Sequence, residues 1–131
     1  MSIKERAIKN FEVKGYNCCQ AVVCAYCDEM GIDDKDIFKL AEGFGGGMGG
    51  MQGVCGAVTG AFMAISMIGS AGDKADAGKT KVETYKNVRG LAAEFKQLRG
   101  SIDCRDLKVD RVACVKCVET GAELVEKFLE K

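Results

Sequence analysis

Three observations predict an all-α, single-domain bundle of about five to six helices with one glycine-rich loop. The 131 residues contain no proline. Apolar residues recur at three- and four-residue steps, and the alternation of a half-buried strand is nearly absent. The length suits one hydrophobic core and is short for two, so residues 1–131 are expected to form one domain.

The elements follow from local signals. Ser2 is placed to cap a first helix carrying Ile3, Ala7, Ile8 and Phe11 on one stripe, and Lys14-Gly15 supplies a cation and a left-handed stop. Asn17 caps a second helix, expected from Cys18 to Met30 and closed by Gly31. "DDKDIFKLAEGF" reads as a short helix with an acidic start that runs into the glycines. A small-residue helix from about Val54 to Ile68 follows, with Gly56 and Gly60 four apart on one face, so a neighbouring helix can approach closely. The next helix, from about Asp76 to Leu98, carries Tyr85, Val88, Ala92 and Phe95 as its stripe and stops at Gly100. "SIDCRDLKVD" is an irregular connection. Asp110 caps the last helix, with Val115, Val118, Ala122, Val125 and Leu129 inward and Lys116, Glu119, Glu123 and Glu126 toward water.

Composition excludes several function classes. Nineteen basic residues balance nineteen acidic ones, interspersed along the chain. Such a chain has no field to steer nucleic acid, so none is expected as a partner. The N-terminus "MSIKERAIKNF" has no apolar signal region, and Gly56, Thr59, Gly60 and Ser66 interrupt the longest apolar run. The expectation is a cytoplasmic protein with no membrane insertion. Eight cysteines in a reducing compartment point to metal binding or redox chemistry rather than structural disulfides. With no histidine in the chain, Cys-His catalysis and mixed Cys/His zinc sites are excluded.

Residues 42–60, "EGFGGGMGGMQGVCGAVTG", hold nine glycines around one cysteine. Gly45, Gly47 and Gly50 spell G-x-G-x-x-G. A dinucleotide fingerprint, however, needs a strand before the glycines and a βαβ unit around them. Here a helix precedes them, and no Gly-Lys-Ser/Thr follows as a Walker loop requires. The glycines instead allow tight wrapping that delivers Cys55 to the start of a helix, where unpaired N–H groups and the positive dipole end favour a thiolate.

Cys18 and Cys114 likewise lie in or beside helix N-terminal turns. Cys19 falls on the Val22, Val23, Tyr26 and Met30 stripe and is expected to pack in the core, whereas Cys24 points between Gln20 and Asp28 as a semi-exposed or second-interface residue. Cys24/Cys27 and Cys114/Cys117 each spell C-x-x-C and together imitate a four-cysteine zinc pattern, but both pairs lie within helices rather than the tight turns of zinc knuckles. Cys104, in the extended connection, is accessible and able to swing toward another cysteine as a resolving thiol or fourth ligand.

The segments "GYNCCQAV", "FGGGMGG", "VCGAVTGAFMA", "SIDCRDL" and "CVKCVETGAELV" together resemble the C_GCAxxG_C_C family, described by four invariant cysteines, a C-G-A-x-x-G motif and redox activity. The resemblance runs from about Gly15 to Leu129. It implies a small helical fold and assigns the four positions to Cys18, Cys55, Cys104 and Cys114, with Gly56, Ala57 and Gly60 completing the motif. Cys19, Cys24, Cys27 and Cys117 look like extras, although Cys117 competes with Cys114 for the last position.

The resulting expectation is a thiol oxidoreductase or electron-transfer protein acting through Cys18, Cys55, Cys104 and Cys114, with a redox partner protein or a small thiol or electron donor. A second reading makes the same four cysteines ligands of an iron–sulfur cluster or zinc. A third is a helical interaction module with structural cysteines. Close helix packing also suits a homodimer.

Overall fold

The computed structural model describes residues 1–107 and 110–130. Within these residues the chain forms helices α1 (Ile3–Glu12), α2 (Cys18–Cys24), α3 (Cys27–Met30), α4 (Asp34–Ala41), α5 (Gly56–Gly69), α6 (Lys81–Arg99), α7 (Cys104–Leu107) and α8 (Arg111–Leu129). The short elements α3 and α7 are single turns, which leaves six longer helices to build the bundle. Among the described residues, strand-like pairing is confined to an isolated antiparallel bridge between Val54 and Asp103.

The caps act where the side chains predict. Ser2 Oγ accepts from Glu5 N at 3.0 Å while the Glu5 carboxylate accepts from Ser2 N, closing a capping box. Asn17 and Gln20 close a second box at the head of α2. Asp110 accepts from Ala113 N at 2.8 Å and starts α8. Gly31 and Gly100 end α3 and α6 in the left-handed conformation, with φ of 69° and 95°.

Three local expectations are corrected. The continuous helix from Cys18 to Met30 is broken at Ala25 and Tyr26. There α1 intervenes, because Asn10 Nδ2 donates to the Ala21 carbonyl and Arg6 to the Ala25 carbonyl, while Tyr26 is drawn into the core and its hydroxyl donates to the Ala122 carbonyl at 2.7 Å. Cys24, expected to be semi-exposed or at a second interface, takes the second place, buried against Ile37 and Ala41 of α4. Helix α6 begins at Lys81 rather than Asp76 because loop groups take the preceding amides: Asp73 accepts from Ala75 and Asp76, and Thr80 Oγ1 from Ala71. Tyr85 is exposed, and Leu91 and Phe95 carry the buried face of α6. Residues 108 and 109 of the expected connection lie outside the described residues.

Helix α5 is the centre of the bundle, packed against α2, α6 and α8. Its Ala57, Val58, Ala61 and Ala64 are fully buried. The contacts are close enough to need glycine. A Cβ on Gly60 would lie 2.7 Å from the Cys19 carbonyl oxygen, and one on Gly121 of α8 would lie 2.8 Å from that of Ala57. Among the described residues, no helix is long and apolar enough to cross a membrane.

The Gly60 contact predicts a stability asymmetry. Gly60→Ala should destabilise by about 1–3 kcal/mol, the usual cost of overpacking, because backbone rather than a flexible side chain opposes the new methyl. Gly69→Ala, at the end of the same helix with nothing within 4 Å of its would-be Cβ, should be neutral or stabilise by up to about 1 kcal/mol. Urea titration of both variants checks the pair.

Candidate functional site

Cys18 is the first residue of α2, directly after its Asn17 cap, and Cys55 is the N-cap of α5. The α2–α5 approach brings these two starts together, since a Cβ on Gly56 would lie 3.2 Å from Cys18 Cβ and 2.9 Å from Cys19 N. Cys104 is not in an extended, accessible connection as its sequence context suggested. It is buried as the first residue of α7.

The glycine loop fastens Cys104 there. Cys104 N donates to the Gly53 carbonyl at 2.6 Å, Cys55 N donates to the Ile102 carbonyl at 2.7 Å, and the Val54–Asp103 bridge lies between these bonds. Gly47 closes the loop over the cysteine: its φ is 69°, and a Cβ there would lie 2.7 Å from Cys104 Cβ and 2.6 Å from the Gly53 oxygen. An L side chain fails at this position on both conformation and space. The loop thus joins residues 102–104 to the head of α5, a task that needs no phosphate.

Helix α8 completes the set. Cys18, Cys55, Cys104, Cys114 and Cys117 all line one cavity, with Gly46, Gly56 and Leu107. It holds about 10 Å³, roughly room for the centre of one water molecule. Cys114 and Cys117 are one turn apart and share a face of α8. Cys117, grouped with the extras in the sequence reading, therefore belongs to the site; its signal was the C-x-x-C spacing on a helix.

The imitation zinc quartet does not assemble. Cys24 packs with Cys19, Val23, Ile37 and Ala41, in a different cluster from Cys114 and Cys117. Among the described residues, no group of three or more cysteine, aspartate or glutamate side chains is arranged to hold a metal ion.

The thiols differ electrostatically. Cys117 is pushed well above the ordinary thiol range, first by its hydrogen bond to Cys55, then by burial and by charge at Cys55, Cys18 and Cys114. In that bond Cys117 keeps its proton and donates it toward the Cys55 sulfur. Cys19 is pushed up to about 11, chiefly by burial. Cys24 is pushed up to about 12 by burial and then by the carboxylate of Asp34. Cys27, partly exposed, is raised by burial and the nearby Asp28 and Asp34.

A cysteine-lined cavity beneath a glycine loop is also where the chain's likeness to known proteins falls. The family model described as "Putative redox-active protein (C_GCAxxG_C_C)" matches residues 16–128. The chain belongs to this family. It is also similar to a protein of Archaeoglobus fulgidus described only as "Uncharacterized protein", at 29% identity over 121 residues covering 84% of this chain and 80% of that one. No solved structure matches the chain. The C_GCAxxG_C_C pattern names four cysteines, and in this member a fifth, Cys117, lies on the same cavity.

Burial of Cys19 and Cys24 predicts an alkaline limit to stability. Their unfolded-state values lie near about 8.5, below the folded ones, so above that pH the unfolded chain has released protons that the folded chain retains. Stability should be fully present below about pH 8 and decline as pH rises toward about 11 to 12. Thermal melts from about pH 7 to 11 should show a steady loss of Tm above about pH 9. In Cys24→Ala, which lacks one of the titrating groups, the decline should be shallower.

Proposed function

We propose that the chain is a thiol redox protein working by thiol–disulfide exchange inside the cysteine-lined cavity. Cys55 is the central nucleophile, and Cys18, Cys104 or Cys114 closes the disulfide. The observation that carries this reading is the meeting of five cysteines from four helices at one small cavity. Membership of a family described as redox-active supports the same class of chemistry.

Cys55 suits the central role because two features favour negative charge at its sulfur: the N-terminal end of the 14-residue α5 and the S–H donor of Cys117. In the reaction the Cys55 thiolate attacks one sulfur of an oxidised disulfide and expels the other as a thiolate. A second cavity cysteine then loses its proton and attacks the mixed disulfide, forming an internal disulfide and releasing the second thiol. The balance is two protein thiols plus one disulfide giving one protein disulfide plus two thiols.

The test is a thiol count under denaturing conditions on protein purified anaerobically, before and after treatment with diamide, a diazene that is reduced to the hydrazine as two thiols join. The metal content is measured in parallel. Thiols should disappear in pairs, with Cys55 in the first disulfide mapped, and that pair should be lost in Cys55→Ser. Stoichiometric iron or zinc whose removal exposes four thiols would overturn the redox assignment in favour of a metal centre. Unchanged pairing in Cys55→Ser would remove Cys55 from the mechanism.

A further inference from the structure

The cavity has a way in. Cys18, Gly46 and Cys114 also line an open groove of about 450 Å³, whose remaining walls are Phe11, Asn17, Asp110 and Arg111. Of the five cavity cysteines, only Cys18 and Cys114 are shared with this groove. They are also the most exposed of the five, at 7% and 8% against 5% for Cys55 and Cys104 and 3% for Cys117. A molecule arriving from solvent meets Cys18 and Cys114 before it meets Cys55.

The groove walls indicate what kind of molecule it suits. Its volume is within the range of small-molecule sites, about 300–1,000 Å³. Arg111 is held in place, with its guanidinium 4.8 Å from the centroid of the Phe11 ring and its Nη2 donating to the Phe11 carbonyl. That bond leaves most of the guanidinium's N–H donors for other acceptors. Asp110, the next residue back, lines the same groove, and one of its carboxylate oxygens is fixed by capping α8. A wall with one fixed cation and one fixed anion matches a ligand bearing both a carboxylate and an ammonium group. Among disulfides, these are the low-molecular-weight ones derived from cysteine.

Cys114 is the better placed of the two groove thiols. It lies three residues after Arg111 on α8, one turn along the same face. A ligand carboxylate paired with Arg111 would set the adjoining disulfide next to Cys114.

We propose that this groove binds a zwitterionic, cysteine-derived disulfide and that Cys114 makes the first exchange with it. This rests on the redox reading above and changes its first step for this ligand: Cys114 rather than Cys55 attacks the incoming disulfide, and Cys55 is oxidised afterwards by exchange with the Cys18–Cys114 disulfide. The Cys114 thiolate attacks one ligand sulfur, forms a protein–ligand mixed disulfide and expels the other half as a thiolate that takes a proton from water. Cys18, on the same groove, deprotonates and attacks the Cys114 sulfur. This step releases the second ligand thiol and leaves a Cys18–Cys114 disulfide that exchange with Cys55 passes inward.

Oxidised glutathione serves as the charged probe and 2-hydroxyethyl disulfide as the uncharged one. Each is mixed with the reduced chain, quenched in acid, and read by intact mass and peptide mapping. In Cys18→Ser, glutathione should remain trapped on Cys114, whereas the wild-type chain should release it and gain an internal disulfide. Arg111→Gln should slow the glutathione reaction by about tenfold, the loss of one charge-assisted contact, and leave the hydroxyethyl reaction unchanged. Arg111→Lys, which keeps the charge, should recover most of the rate and controls for folding. A first adduct on Cys55, or a rate insensitive to both Arg111 variants, would overturn the groove assignment. Thiols that pair under diamide while oxidised glutathione leaves the chain untouched would sink this inference and spare the redox reading; failure to pair under diamide would sink both.

Discussion

Helix α5 lies against α2 so closely that no side chain fits between them at Gly60, and the rest of the structure depends on that contact. Both helices start at a cysteine, so bringing their N-terminal halves into backbone contact brings Cys18 and Cys55 to one place. The same device acts on the other side of α5, where Gly121 accepts the Ala57 backbone and draws in α8, the helix that carries Cys114 and Cys117. Larger residues at these positions would hold the helices apart by the width of a side chain, enough to separate the cysteines that line the cavity. Glycine therefore serves the site twice, as a spacer-free helix face and as the loop that fastens Cys104.

Five thiols in a core impose little cost while they stay neutral, since a protonated cysteine packs as a small hydrophobe. Ionising one creates a charge in a poorly solvated place and needs compensation. At Cys55 that compensation comes from the end of α5 and from Cys117, whose own ionisation is opposed by charge at its neighbours. The cluster therefore titrates as a set, the first proton lost making the next harder to remove. Cys19 and Cys24 are held protonated chiefly by burial, which outweighs a hydrogen bond from Thr59 at Cys19 and is reinforced by Asp34 at Cys24. One residue type thus divides by surroundings into a group that lines the cavity and a group that packs away from it.

Much of the fold was legible because it is set by interactions within a turn or two. Ser2, Asn17 and Asp110 cap helices through amides three residues away, and Gly31 and Gly100 stop them through their own backbone conformation. The readings that went astray concern contacts between distant segments. The second helix is expected to run straight from Cys18 to Met30, but Asn10 and Arg6 of α1 bond to the carbonyls of Ala21 and Ala25, and the chain turns at Tyr26. Tyr85 sits at helical spacing with Val88 and Phe95 but on a part of α6 left open to solvent. Cys104 looked accessible because nothing local shows that the glycine loop closes over it.

By itself the sequence determined the helical class, most of the helix ends, the glycine-dependent close packing and the placing of cysteines at helix starts. All of these depend on periodicity, capping and steric size, which neighbouring residues decide. Only the tertiary structure decided that Cys18, Cys55, Cys104 and Cys114 line one cavity, that Cys117 joins them, that Cys24 and Cys27 stay out, and that a groove beside Arg111 opens onto two of the thiols. Proximity between sulfurs as far apart in the chain as those of Cys18 and Cys117 is a property of how closely helices approach, and backbone contacts across the bundle set that distance.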